Sequence, residues 1–154
     1  MPEFILATTV EDYNAAALLF REYAAWLNID LGFQNFEKEM KSLNSMYALP
    51  AGGIILCKEG TAFIGCVGVR KMDESTAEMK RMWVRPGLQS KGIGTQLLLK
   101  AVALAKACGY QKIRLDTLST MTPAMNLYRK NGFIETPPYY YNPNEEVVYF
   151  EKDL

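Results

Sequence analysis

Apolar residues recur along this chain with two alternating periods, and the switches between them divide it into strands and helices. Phe4-Ile5-Leu6-Ala7 has the length of a short strand, and Thr9 with Asp12 makes a helix-opening pair ahead of Ala16, Phe20, Tyr23 and Leu27 at helical spacing. Asn28 to Asn35, with Gly32 inside it, reads as a break. Phe36, Met40 and Leu43 then mark a second, shorter helix, and Pro50-Ala51-Gly52-Gly53 ends that region. Ile54 to Cys57, the turn Lys58-Glu59-Gly60, and Phe63 to Val69 have the β-branched richness of a hairpin, and a third strand follows over Thr76 to Val84.

The strongest helical pattern runs from Gly92 to Cys108, with Ile93, Leu97, Val102, Ala105 and Cys108 available for burial and Gly109 as its stop. Lys112 to Leu118 reads as a strand. Thr122-Pro123 opens the next helix, since threonine caps and proline is tolerated at the first helical position, and Asn131-Gly132 closes it. Phe133-Ile134-Glu135 and Val147-Val148-Tyr149-Phe150 are closing strands on either side of the proline- and tyrosine-rich stretch Pro137 to Pro143. The order β-α-α-β-β-β-α-β-α-β-β mixes hairpins with helical crossovers, which predicts an α/β (α+β) fold with a mixed sheet flanked by helices. With 154 residues, 49% of them hydrophobic, and no linker or repeat, residues 1–154 are expected to form a single domain.

Charge and composition narrow the chemistry. Lysine plus arginine equals aspartate plus glutamate at 17 each, so no overall field favours nucleic acid or an anionic membrane, and any anion site is local. With no leader pattern and no apolar run of membrane-spanning length, a soluble cytoplasmic protein is expected. Cys57, Cys66 and Cys108 lack the close pairing of a zinc or redox motif. The chain has no histidine, which removes Ser-His and Cys-His nucleophiles, histidine bases and histidine-ligated metals. Cys57 and Cys66 lie in apolar strands with nothing to activate them, so an acyl-cysteine route is not expected, and no metal site is.

The segment Arg85 to Thr95 carries the most specific signal, because a strand ends into it and the longest helix starts within it. A helix N-terminus presents unpaired backbone N–H groups and the positive end of a dipole, and Gly92 and Gly94 let a diphosphate approach them. Lys91 adds a charge and Thr95 a hydroxyl. The spacing lacks the third glycine of a dinucleotide fingerprint and the ending of a Walker loop.

Together these features resemble the GNAT superfamily of N-acetyltransferases over nearly the whole chain. Gln89-Ser90-Lys91-Gly92-Ile93-Gly94 matches its Gln/Arg-x-x-Gly-x-Gly/Ala signature after the strand ending Met82-Trp83-Val84. Ala124 with Leu127-Tyr128-Arg129-Lys130-Asn131-Gly132-Phe133 matches a second signature. The resemblance implies a mostly antiparallel sheet that splays between the strand ending at Val84 and the strand Lys112 to Leu118, with acetyl-CoA in the opening as acetyl donor. Met82, Trp83 and Val84 would bind its pantetheine arm, and Gln89, Ser90, Lys91, Gly92, Ile93, Gly94 and Thr95 its pyrophosphate. One departure is Met121, where many relatives place an asparagine.

Attack of an amine on a thioester needs a neutral nitrogen, while an alkylammonium has a pKa of about 10. By resemblance Glu78 is the candidate base, through water; strict alternation would put Glu78, Lys80, Met82 and Val84 on one face unless a bulge intervenes. The structural alternative is that Glu78 is ion-paired, with Lys80 beside it. Tyr128 matches the family tyrosine that protonates the departing thiolate, and a backbone N–H near Val84 is the candidate donor to the oxyanion. Tyr139-Tyr140-Tyr141-Asn142, the segment Asn28 to Phe36, and Asp116-Thr117 are candidate borders of the acceptor opening.

The expected activity is therefore N-acetyltransfer from acetyl-CoA to a primary amine of a small molecule or peptide by direct attack in a ternary complex. The competing reading is a non-catalytic acyl-CoA sensor or assembly subunit. The sequence does not choose among amino acid, polyamine, antibiotic, peptide N-terminus and protein lysine as acceptor. Relatives are often dimers, so a homodimer is compatible with the resemblance.

Overall fold

The computed structural model describes residues 2–28, 35–88 and 91–154. Their order is β1 (Glu3–Leu6), α1 (Val10–Leu27), α2 (Phe36–Lys41), α3 (Leu43–Met46), β2 (Gly53–Glu59), β3 (Ala62–Lys71), β4 (Thr76–Val84), α4 (Ile93–Ala107), β5 (Lys112–Leu118), α5 (Thr122–Lys130), β6 (Ile134–Thr136) and β7 (Val147–Asp153). Among these residues seven strands form one sheet in the order β1-β2-β3-β4-β5-β7-β6. Each pairing is antiparallel except β4 with β5. The expected mixed, mostly antiparallel sheet is thus present.

Local sequence explains most boundaries. Thr9 and Asp12 complete a capping box, with the Thr9 hydroxyl accepting from the Asp12 N–H while the Asp12 carboxylate accepts from the Thr9 N–H. Two expectations need correction. The single helix over Phe36 to Leu43 is broken at Ser42, whose φ of −129° leaves the helical region and separates α2 from α3. The cap of α5 is Met121 rather than Thr122, and no side chain caps it.

The sheet buries both faces. On the α4 face Leu97 and Leu98 of that helix pack with Val67, Val69, Met79, Ile113, Leu115, Tyr128 and Phe150, and on the other Leu19 and Phe20 of α1 pack with Tyr47, Ile54, Leu56, Cys66 and Trp83. Gly68 makes the second face possible at one close approach, since a Cβ there would fall 2.6 Å from the Tyr47 ring.

A bulge in β4 decides which residues reach which face. The β3–β4 register passes from Cys66↔Trp83 to Gly68↔Lys80, so Val67 alone opposes Arg81 and Met82, and Arg81 adopts a φ of 59°. Alternation therefore fails at Arg81. Met82 and Val84 join the core under α4, while Glu78, Lys80, Arg81 and Trp83 are committed to the α1–α3 face. Glu78 and Lys80 thus keep the shared face that alternation gives them, while the intervening bulge moves Met82 and Val84 to the other.

Candidate active site

The parallel pairing of β4 with β5 extends only over Thr76↔Lys112, Ala77↔Ile113 and Glu78↔Arg114. Beyond it the strands diverge around a cavity of about 700 Å³ that is lined from both faces of the sheet. Met82, Val84, the start of α4 and one side of α5 wall it on one face; Tyr23, Trp26, Lys80, Arg81, Trp83 and Asp116 wall it on the other. The sheet thus splays between the two strands where the resemblance implied the opening.

The mouth of α4 opens into this cavity. Gly92 is its N-cap at φ 75°, a conformation costly for other residues, and it has no side chain with which to cap the first-turn N–H groups. A Cβ at Gly94 would meet nothing within 4 Å, so the first turn of this helix faces open space. Gly92, Gly94 and Thr95 line the cavity. Lys91 is exposed beside it, and the Ile93 side chain instead packs into the core, 2% exposed.

Tyr128 comes from α5 and is clamped between Phe133 and Phe150, each with a ring centroid 5.9 Å away. Burial pushes its phenol well above the ordinary range, so it stays protonated at neutral pH. Asp116 comes from β5, and its carboxylate accepts a hydrogen bond from the Tyr140 hydroxyl. Tyr139, Tyr140 and Tyr149 pack ring against ring with centroids 5.0–5.6 Å apart, which fixes that hydroxyl in place.

On the α1–α3 face lies a buried layer of charge. Arg81 grips Glu39 with two hydrogen bonds of 3.2 and 3.1 Å, and the Tyr47 hydroxyl donates to the same carboxylate at 3.0 Å. Burial alone would raise the Glu39 carboxyl, but Arg81, with Lys80 and Arg70, holds it below the usual range. Arg70 donates to Glu78 at 3.2 and 3.1 Å, Tyr139 donates to Glu78 at 3.2 Å, and the Lys80 ammonium lies 3.9 Å from it. Burial lowers the Lys80 pKa, with Glu78 and Asp116 acting in the opposite direction.

The same face carries an aromatic wall. Trp83 meets Tyr23 at 6.2 Å and Trp26 at 5.3 Å between centroids. Its indole N–H donates to Glu22, which Arg85 also holds at 3.0 and 2.7 Å.

Of the candidate residues, Met82, Trp83, Val84, Gly92, Gly94, Thr95 and Tyr128 line the cavity together. Lys91 and Ile93 stand beside it, and Gln89 and Ser90 lie outside the described residues, as do positions 29–34 of the segment Asn28 to Phe36. Glu78 is not on the cavity wall; it is 4% exposed and enclosed by Arg70, Lys80 and Tyr139. Asp116 and Thr117 do line the cavity, whereas Tyr139 and Tyr140 act from behind, on Glu78 and Asp116. Trp26, Lys80 and Arg81 were not singled out as site residues. Trp26 carries only a helical-spacing signal, Lys80 follows from alternation with Glu78, and Arg81 reaches its place through a bulge that strict alternation does not contain.

The family model described as Acetyltransferase (GNAT) family matches residues 7–133. A Schizosaccharomyces pombe protein named as an uncharacterized N-acetyltransferase is 35% identical over 147 residues, covering 94% of this chain and 90% of that protein. Among solved structures, a GNAT family acetyltransferase from Elizabethkingia anophelis with acetyl-CoA bound superposes with a TM-score of 0.68 at 23% identity, covering 99% of this chain and 98% of its own. A PaiA N-acetyltransferase from Thermoplasma acidophilum in complex with coenzyme A gives a TM-score of 0.74 at 21% identity, covering 100% and 99%. With the splayed sheet and open helix mouth as its structural signature, the chain belongs to the GNAT acetyltransferase family.

Proposed function

We propose that this chain transfers acetyl from acetyl-CoA to a primary amine of a small molecule or peptide, by direct attack in a ternary complex. The observation that carries the reading is the opening between β4 and β5, which gives a donor and an acceptor separate approaches from the two faces of the sheet to one meeting point. Acetyl-CoA, the donor of the family, supplies a thioester activated for acyl transfer. The residues present fit it: the first turn of α4 faces open space over Gly94, and the cavity that Gly92, Gly94 and Thr95 line is also bordered by Met82, Trp83 and Val84 of β4 and by Leu115, Asp116 and Thr117 of β5.

The amides of Ile93, Gly94 and Thr95, with Lys91 and the adjoining Gln89 and Ser90, would hold the diphosphate. The backbone of Met82, Trp83 and Val84 would run beside the pantetheine arm. Tyr128 would give its proton to the departing thiolate, whose pKa of about 8.5 makes that transfer useful near neutrality. Asp116, on the cavity wall, is better situated than Glu78 to take the proton of the incoming amine, directly or through water.

The test is release of coenzyme A thiol from acetyl-CoA across a broad amine panel. At least one amine is expected to give turnover, and Tyr128→Phe is expected to lower kcat by about 10²-fold with KM for acetyl-CoA little changed. Acetyl-CoA binding without release for any amine would instead make the chain an acyl-CoA sensor.

A further inference from the structure

We propose that Tyr140 is a positioning residue of the amine site: its hydroxyl, oriented by Asn142, pins one oxygen of the Asp116 carboxylate and leaves the other to the incoming amine. The inference rests on the transferase reading, in which Asp116 takes the proton of the amine, and deepens it by naming what holds that carboxylate in place.

A half-buried aspartate samples more than one rotamer unless something restrains it. Asp116 carries such a restraint. Its Oδ2 accepts from the Tyr140 hydroxyl, while among the described residues no hydrogen bond reaches Oδ1. The sense of that bond is set further along the loop between β6 and β7. The backbone N–H of Asn144, which can only donate, lies 2.9 Å from Oδ1 of Asn142. That contact fixes which way the Asn142 amide faces, so its Nδ2 is the atom 3.4 Å from the Tyr140 hydroxyl oxygen, and it donates there. The hydroxyl thus accepts from Asn142 and turns its own proton to Asp116, in a chain whose direction a backbone N–H decides.

The ring that carries the hydroxyl is held as well. Tyr149 pairs with Asp116 across β5 and β7, and the Tyr140 ring meets the Tyr149 ring edge-on with centroids 5.6 Å apart. Tyr139 packs against both, at 5.3 and 5.0 Å. The residue opposite the carboxylate in the sheet is therefore also a support of the phenol that grips it. Tyr139 sends its own hydroxyl to Glu78 at 3.2 Å, so two consecutive residues reach the two diverging strands. One contact falls at Glu78, where the β4–β5 pairing ends, and the other at Asp116, beyond Arg114 of β5. Pairing with β7 fixes the backbone of Asp116, and Tyr140 fixes its side chain. A base works only within hydrogen-bond reach of the proton it takes, and a misplacement of about 1 Å can cost on the order of 10²-fold.

The experiment is a double-mutant cycle on Asp116 and Tyr140 in the thiol-release assay, with the amine of highest turnover and saturating acetyl-CoA. Tyr140→Phe keeps the ring and is expected to lower kcat/KM for the amine by about tenfold, with KM for acetyl-CoA little changed. In the Asp116→Asn background the same substitution should cost less than about twofold, because no carboxylate is left to aim. Asn142→Ala leaves the Tyr140 hydroxyl in place; it should give a smaller loss that also vanishes in Asp116→Asn, and it decides the matter if Tyr140→Phe fails to fold. Full activity in Asp116→Asn or in Tyr140→Phe, or a tenfold loss repeated in full in the Asp116→Asn background, overturns the positioning role and leaves acetyl transfer standing. No turnover of any amine, despite measurable acetyl-CoA binding, overturns both.

Discussion

Two carboxylates stand near the opening between β4 and β5, and their partners separate their roles. Asp116 is half-buried on the cavity wall, with the Tyr140 hydroxyl donating to it; Glu78 is buried behind the wall, held by Arg70 and Tyr139. Asp116→Asn is therefore expected to cut kcat/KM by roughly 10²-fold or more while the fold persists. Glu78→Gln leaves the buried Lys80 and the Arg70 guanidinium short of a counter-charge, so its main expected effect is a stability loss of about 3–5 kcal/mol. Kinetics and thermal unfolding on both variants check this; a larger kinetic defect in a stably folded Glu78→Gln would reverse the assignment. At this scale the glycines of the α4 start were legible from their local helix context, and Tyr128, which lines the cavity, only through the signature that resembles a family. The sequence could not display the choice between Glu78 and Asp116, which depends on side chains 61 and 24 positions away in the chain.

Elements were the most legible level, and their one large departure has a physical origin in β4. Thr76–Val84 and Lys112–Leu118 have the bounds that their apolar pattern predicts. Inside β4, however, Arg81 takes a left-handed φ of 59°, a strain of order 1–3 kcal/mol that its paired hydrogen bonds to Glu39 of α2 offset. The bulge turns Arg81 toward the face that carries Glu39 and Met82 toward the α4 face, so α2 helps to set the geometry of the opening. Glu39→Gln is expected to destabilise the fold by about 3–5 kcal/mol. The pH dependence has a definite sign. The folded Glu39 carboxyl lies below its unfolded value, so its contribution is complete above about pH 4.3 and fades as the pH falls further. Wild-type protein should lose stability on acidification below that range, and Glu39→Gln should show a flatter acid limb in thermal melts from pH 3 to 7; parallel limbs would contradict the assignment.

For the whole molecule, function follows from a sheet that is continuous at one end and open at the other. The open end was legible only through the two signatures that resemble a family, since nothing in the alternation of β4 or β5 says that their pairing stops at Glu78↔Arg114. The aromatic wall was hidden for a related reason: Trp26 and Trp83 lie on different elements and meet only when α1 packs on the sheet.

The central claim, that the mouth of α4 holds the diphosphate of acetyl-CoA, is tested most directly by isothermal titration calorimetry on wild type and Gly94→Glu. A carboxylate in the first helical turn favours the helix dipole and its Cβ enters open space, so the variant should fold at least as stably as wild type. It should also repel the diphosphate. The account predicts one acetyl-CoA bound per wild-type chain and an affinity at least about 10²-fold weaker in Gly94→Glu; no heat from wild type, or equal affinity in the two proteins, would contradict it.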